Sequence, residues 1–93
     1  MDSHFAALMA EGVAVIRLDQ QHAFIARKHS GHPVVTEIDR DGDLAPAYLL
    51  RVAHEAAGCD GVVVMGPDAA RIEFERQYVS LYRRPDRLVS SRA

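Results

Sequence analysis

Gly61-Val62-Val63-Val64-Met65-Gly66-Pro67-Asp68 is the segment on which the fold turns. Its first five residues contain no polar side chain, and three of them are β-branched. A strand with one wet face alternates apolar and polar residues, whereas a strand covered on both faces reads as an unbroken apolar run. Gly61–Met65 is therefore expected to be a central strand. Gly66-Pro67 stops it. Asp68 is then expected to cap a helix over about residues 69–82. A buried strand opening directly into a helix is a unit of a sheet with helices packed on it.

Upstream, Val13-Ala-Val-Ile-Arg-Leu18 is a second run of the same kind. It is expected to lie parallel to Gly61–Met65. Asp19-Gln20-Gln21 reads as a tight turn, and His22–Lys28 as the next strand. Two strands this close form an antiparallel hairpin, because a parallel pair needs a crossover of roughly a dozen residues. His29-Ser-Gly-His32 is a second turn in which Gly31 can take a positive φ. Pro33–Ile38 is a third strand. Asp39–Asp43 is a polar connection. Asp43 is expected to cap a helix over about residues 44–57, with Pro46 tolerated in its first turn. Leu49, Leu50, Val52, Ala53 and Ala56 form its apolar stripe, and Gly58 is the expected left-handed cap at its end.

Downstream, Arg83-Arg84-Pro85-Asp86 ends the second helix, and Arg87–Ser91 reads as a short edge strand. At the other terminus, Asp2 or Ser3 starts a short helix over His4–Met9, with Phe5, Leu8 and Met9 at helical spacing. The order is β-β-β-α-β-α-β, an α/β (α+β) mixed sheet with helices packed on it. The 93 residues make one domain, with residues 1–11 a short helix or tail and 12–90 the core. On the second helix Ala70, Phe74, Tyr78 and Leu81 form the stripe expected to face the sheet. Arg71 and Glu75 can pair as i, i+4 neighbours. Ile72 and Val79 form a smaller, left-over stripe, expected to be a homodimer contact; a structural homodimeric adaptor is accordingly an alternative to a binding module.

With 48% hydrophobic and 26% charged residues, the chain has the make-up of a globular domain and not of a disordered one. No apolar run approaches the roughly 18 residues of a membrane span. The N-terminus lacks a basic leader region, and the lone Cys59 excludes an internal disulfide. These features fit a reducing, cytoplasmic compartment. The formal charge of −2 is unevenly placed: residues 1–70 carry five basic and ten acidic side chains, and residues 71–93 carry six arginines and three acids. Arginine's planar fork suits phosphates and carboxylates. Arg71, Arg76, Arg83, Arg84 and Arg87 are therefore the candidate RNA- or partner-binding surface; a solvated helix face is the plainer reading of the same residues. Nothing in this pattern singles out DNA.

No enzyme motif is present. His22, His29 and His32 lack the cysteine or carboxylate spacing of a zinc site. Asp39–Asp43 resembles a calcium loop, but the required sixth and twelfth positions hold Leu44 and Leu50. Gly66-Pro67-Asp68 is not followed by Gly-Lys-Ser/Thr, so it is no nucleotide loop. The serines lack a nucleophile context. The meander followed by helix, strand and helix matches the ribonuclease H-like plan, on which Asp19, Glu55 and Asp68 would be the only acids for a metal-dependent nuclease. Asp19 lies at a turn and not inside its strand, a poor place for a metal ligand. No catalytic residue, metal or cofactor is expected.

Gly61-Val-Val-Val-Met-Gly-Pro-Asp-Ala-Ala-Arg-Ile-Glu-Phe-Glu-Arg76 resembles the strand-Gly-Pro-helix segment of the middle domain of archaeo-eukaryotic peptide-chain release factors and Pelota-like proteins, and of short bacterial relatives of that domain. Gly12-Val-Ala-Val-Ile-Arg-Leu-Asp-Gln-Gln-His-Ala-Phe-Ile-Ala-Arg27 is similar to their opening hairpin. The resemblance covers residues 12 to about 90 and implies a translational-machinery-component fold, close to the ribonuclease H-like plan. In true release factors a Gly-Gly-Gln loop between the third strand and the first helix promotes peptidyl-tRNA hydrolysis. The corresponding Asp39–Asp43 has one glycine, Gly42, and no glutamine, so peptide release is not expected. What the resemblance implies instead is ribosome or RNA association, in translation or stress response.

Overall fold

The computed structural model describes residues 12–91; the short helix expected over His4–Met9 lies outside the described residues. The elements are β1 (Val13–Leu18), β2 (His22–His29), β3 (His32–Asp39), α1 (Ala45–Glu55), β4 (Gly61–Met65), α2 (Asp68–Tyr82), a 3-10 turn (Pro85–Arg87) and β5 (Leu88–Ser91). They form a mixed five-stranded sheet of order β3-β2-β1-β4-β5 with two helices packed on it, as the sequence predicts. β1 pairs antiparallel with β2 and parallel with β4, β3 is antiparallel to β2, and β5 is a parallel edge strand beside β4.

Strand alternation assigns side chains to faces. Ala14, Ile16 and Leu18 of β1 share one face with Ala23 and Ile25 of β2, Ile38 of β3, and Val62 and Val64 of β4. This face meets Tyr48, Leu49, Val52, Ala53 and Ala56 from the α1 region and Ala70, Phe74 and Tyr78 from α2 in one core. On the opposite face the register aligns Val35, Ala26, Val15, Val63 and Val89 in a row across all five strands. Val15 and Val63, in the middle of that row, are buried, while Val35 and Val89 at its ends are exposed. The unbroken apolar runs of β1 and β4 thus do mark strands buried on both faces.

The turns follow local chemistry. Ser30 and Gly31 both take positive φ, at 52° and 81°, between the paired His29 and His32. That is the two-residue hairpin geometry that matches strand twist. In the β1–β2 turn, Asp19 Oδ1 accepts hydrogen bonds from the Gln21 and His22 amides at 2.7 and 2.9 Å. Tyr48 of α1 donates its hydroxyl to the Asp19 carbonyl at 3.0 Å, and burial pushes its pKa up to about 12. The helix is thereby tied to the turn.

The helix ends differ from the sequence expectation. Leu44, not Asp43, is the N-cap of α1, and Asp43 instead pairs with Arg51 at 2.8 Å. Pro67, not Asp68, is the N-cap of α2; Asp68 is its first helical residue. Gly58 is not left-handed. The chain leaves α1 through tight turns, with Ala56 N–H donating to the Ala53 carbonyl and Cys59 N–H to that of Ala56. The left-handed cap belongs to Arg83 after α2, at φ 57°. The buried arcs are also rotated. Tyr48 replaces the exposed Leu50 on α1, and Tyr82 packs against the core in place of Leu81, which is 49% exposed. Phe74, Tyr78 and Tyr82 follow one another at four-residue steps with ring centroids 6.1 and 5.0 Å apart. These rings have the reach to fill the core from the flank of the helix.

Gly66 has φ +142°, and a Cβ added there would lie 2.0 Å from the Leu18 carbonyl oxygen. Gly66→Ala is expected to lower stability by more than about 3 kcal/mol, because neither that backbone atom nor the φ can yield cheaply. Gly42→Ala, with an unusual φ but open space around it, is expected to cost only about 1 kcal/mol. Urea midpoints of the two variants check this; equal midpoints would contradict it.

Candidate functional site

The five arginines chosen from the sequence do not form one surface. Arg71 is only 7% exposed. Its Nη2 lies 2.6 Å from Asp68 Oδ1, and its Nη1 lies 3.8 Å from Glu75 Oε2. The rotation of α2 about its aromatic residues turns Arg71 into the buried arc. There it is a structural ion pair and not part of an open cationic face. Asp68 serves as its partner instead of capping the helix.

Of the other four arginines, Arg76 lies midway along α2, while Arg83, Arg84 and Arg87 follow its C-terminal end. Arg76, Arg83 and Arg84 are exposed and Arg87 is half-buried. Arg84 makes a two-pronged contact with Asp86, Nε to Oδ1 at 3.0 Å and Nη2 to Oδ2 at 2.9 Å. This hydrogen bonding holds the Asp86 carboxyl below its usual range. No ion pair engages Arg76 or Arg83 among the described residues. Arg27 of β2 joins the same end of the fold. Its Nη2 lies 3.8 Å from Glu55 Oε1. Burial pushes the Cys59 thiol up, while Arg27 and Arg87 both act to lower it.

Beside these arginines is a groove of about 630 Å³ lined by Ile72, Glu75, Arg76, Val79, Ser80, Pro85 and Leu88. It contains both members of the left-over apolar stripe of α2. Sequence periodicity found that stripe; it could not show that Pro85 and Leu88 close the other wall.

At the opposite end of the sheet, a cleft of about 510 Å³ is lined by Arg17, Leu18, Asp19, His22, Phe24, Gly66, Pro67 and Asp68. Asp19 and Asp68 share this cleft, but Glu55 does not line it and sits by Arg27 instead. The acid trio of a nuclease is not assembled. His22 is far in register from the His29–His32 turn. It bridges two carboxylates on β3: Nε2 contacts Glu37, and Nδ1 lies 2.8 Å from Asp39 Oδ1. Its ring also stacks on Phe24 with centroids 4.9 Å apart. Alternation along β2 and β3 was enough to place these groups on one face, but only the register sets them opposite one another. Among the described residues no three His, Cys, Asp or Glu side chains are placed to hold a metal ion.

The hydrogen bond to Glu37, then the charges of Asp39, Glu37 and Asp19, raise the His22 pKa above 6.5 against a smaller opposing desolvation. A histidine with a raised folded pKa adds stability that is fully present below its unfolded value of about 6.5 and is lost as pH rises through the folded value. The unfolding midpoint is therefore expected to fall as pH climbs from about 6 through the alkaline side of 6.5. His22→Gln is expected to flatten that part of the profile. A parallel pH profile for the variant would show that His22 is not the group responsible.

No family model matches the chain, and no curated protein matches it in sequence. No described helix is long and apolar enough to cross a membrane. Among solved structures, the fold is similar to that of Dom34 from S. cerevisiae, described as a translation termination-like factor involved in RNA quality control pathways and interacting with Hbs1. The match has a TM-score of 0.61 at 9% identity and covers 84% of this chain and 27% of that one. The chain thus spans about a quarter of Dom34. At this identity the likeness is one of fold.

Proposed function

We propose that this chain is a small non-catalytic binding module that associates with ribosomal or other RNA, in translation or a related stress response. The observation that carries the reading is the placement of Arg83, Arg84 and Arg87 just past the end of α2, with Arg76 lining the groove beside Pro85 and Leu88, in a chain whose other residues are net acidic. Its fold likeness to a translation termination-like factor supports the same setting. The separation of Glu55 from Asp19 and Asp68 weighs against a nuclease. The Asp39–Asp43 connection, without a Gly-Gly-Gln sequence, weighs against peptide release.

Sedimentation with ribosomes and anisotropy with a single-stranded RNA test this. Binding is expected at low salt and lost as salt rises, with the logarithmic slope changing by roughly 0.7 for each phosphate contact removed. Replacing Arg83, Arg84 and Arg87 together with alanine is expected to reduce that slope by about 2, leaving the share of Arg76. Unchanged binding would remove these residues from the interface. Arg71→Ala has the opposite signature. It leaves the salt slope unchanged and lowers the urea midpoint, because it removes a buried side chain together with its ion pair to Asp68.

A further inference from the structure

The edge of the sheet at β5 combines three features that one kind of partner would satisfy together. First, β5 is the last strand of the sheet, and among the described residues no strand pairs with its outer side. An unpaired edge presents backbone N–H and C=O groups to any extended chain. Second, the helix-covered face beside this edge holds the groove formed by Ile72, Val79, Pro85 and Leu88. Third, the opposite face at the same edge carries Val89, which is 55% exposed, while Ile72 on the groove side is 41% exposed. These two exposed apolar side chains thus lie on opposite faces of one strand edge.

A helix laid in the groove would cover Ile72 and Val79 but leave Val89 in water. An added strand covers both, because its successive side chains point to alternate faces. Charge selects among strands. Arg76 lines the groove beside Glu75, which Arg71 engages; Arg87 leads into β5 and Arg83 lies just beyond, while Arg84 is already paired with Asp86. Pairing of β5 with β5 of a second copy about a two-fold axis is antiparallel, so it would set the basic ends of the two copies at opposite ends of the seam and supply neither with opposite charge. An acidic strand has the complementary charge.

We propose that β5 accepts an extended segment of another protein as a sixth strand, a segment with apolar side chains on both of its faces and flanked by Asp or Glu. The apolar side chains facing α2 enter the groove against Ile72, Val79 and Leu88. Those on the other side extend the Val63–Val89 row. Arg76 pairs with a flanking carboxylate. This is the strand-addition mode of recognition, in which main-chain bonds hold the peptide and side-chain pockets select it. It goes beyond RNA association and does not depend on it.

The test uses two synthetic peptides, Glu-Val-Ile-Thr-Val-Val-Glu, whose end carboxylates share one face with two apolar side chains while the other face carries two valines, and the same sequence with lysine at both ends, read by anisotropy at low salt. The acidic peptide is expected to bind more tightly, by about tenfold or more. Arg76→Glu, a change on an exposed helical position, is expected to reverse that order. Ile72→Asp combined with Val79→Asp is expected to abolish binding of both. Hydrogen exchange is expected to slow at the β5 amides when the acidic peptide is added. The proposal is overturned by equal binding of the two peptides, by binding of neither, or by an Arg76→Glu variant that behaves like the parent. It is also overturned if the β5 amides are already protected in a species of doubled mass without peptide, or if a single-stranded RNA and not the peptide protects them. Loss of peptide binding by the Ile72→Asp, Val79→Asp variant with RNA binding intact separates this reading from that of RNA association.

Discussion

The parallel pairing of β1 with β4 is the constraint on which the remaining elements depend. It places Ala14 beside Val62 and Ile16 beside Val64, all buried on the helix-covered face, and Val15 beside Val63 on the other. A parallel pair cannot be closed by a turn. The chain must cross over, and the β2–β3 hairpin followed by α1 is that crossover. The approach is close enough that Gly66 passes against the Leu18 carbonyl, so α2 starts directly over the ends of the two central strands. At their other end the Gly12 carbonyl accepts hydrogen bonds from the Asp60 and Gly61 amides at 2.7 and 3.1 Å. Both ends of the central pair are therefore pinned by backbone contacts.

The positions of the two helices explain where the charges go. α1 and α2 share one face of the sheet, and α2 runs back from the ends of β1 and β4 toward the start of β5. The asymmetry along the sequence becomes an asymmetry between the two ends of the fold. Asp19, Glu37, Asp39 and Asp68 lie toward the end where β1 and β4 finish, and His22 joins two of them. Arg83, Arg84 and Arg87 lie toward the other, where the β2 strand contributes Arg27. The basic end is thus assembled from two parts of the chain. A local charge count along the sequence finds only one of them.

Elements were legible in the sequence because apolar periodicity is a local property. The runs at Val13–Leu18 and Gly61–Met65 could not be half-wet strands, and the helical stripes could not be strands. Caps and faces were less legible. Asp43 and Asp68 have the chemistry of N-caps, but Arg51 and Arg71 offer each a full charge within reach, and the helix starts one residue from where a cap would put it. Leu50 and Leu81 fit the apolar stripes by spacing, yet Tyr48 and Tyr82 displace them. An aromatic ring covers more core from the flank of a helix than a leucine does from its centre. Arg71 became buried by the same rotation, which spacing along one helix cannot reveal.

By itself the sequence determined the element order, the central placement of β1 and β4, and the excess of arginine near the C-terminus. These follow from short-range patterns of size, branching and charge. Only the tertiary structure decided which arginines face outward and that Glu55 stands apart from Asp19 and Asp68. It also decided that the spare apolar stripe of α2 closes into a groove with Pro85 and Leu88 beside an open strand edge. Each of these depends on how far a helix is rotated on the sheet and on which strands end up adjacent. Those quantities are set by packing between residues distant in the chain.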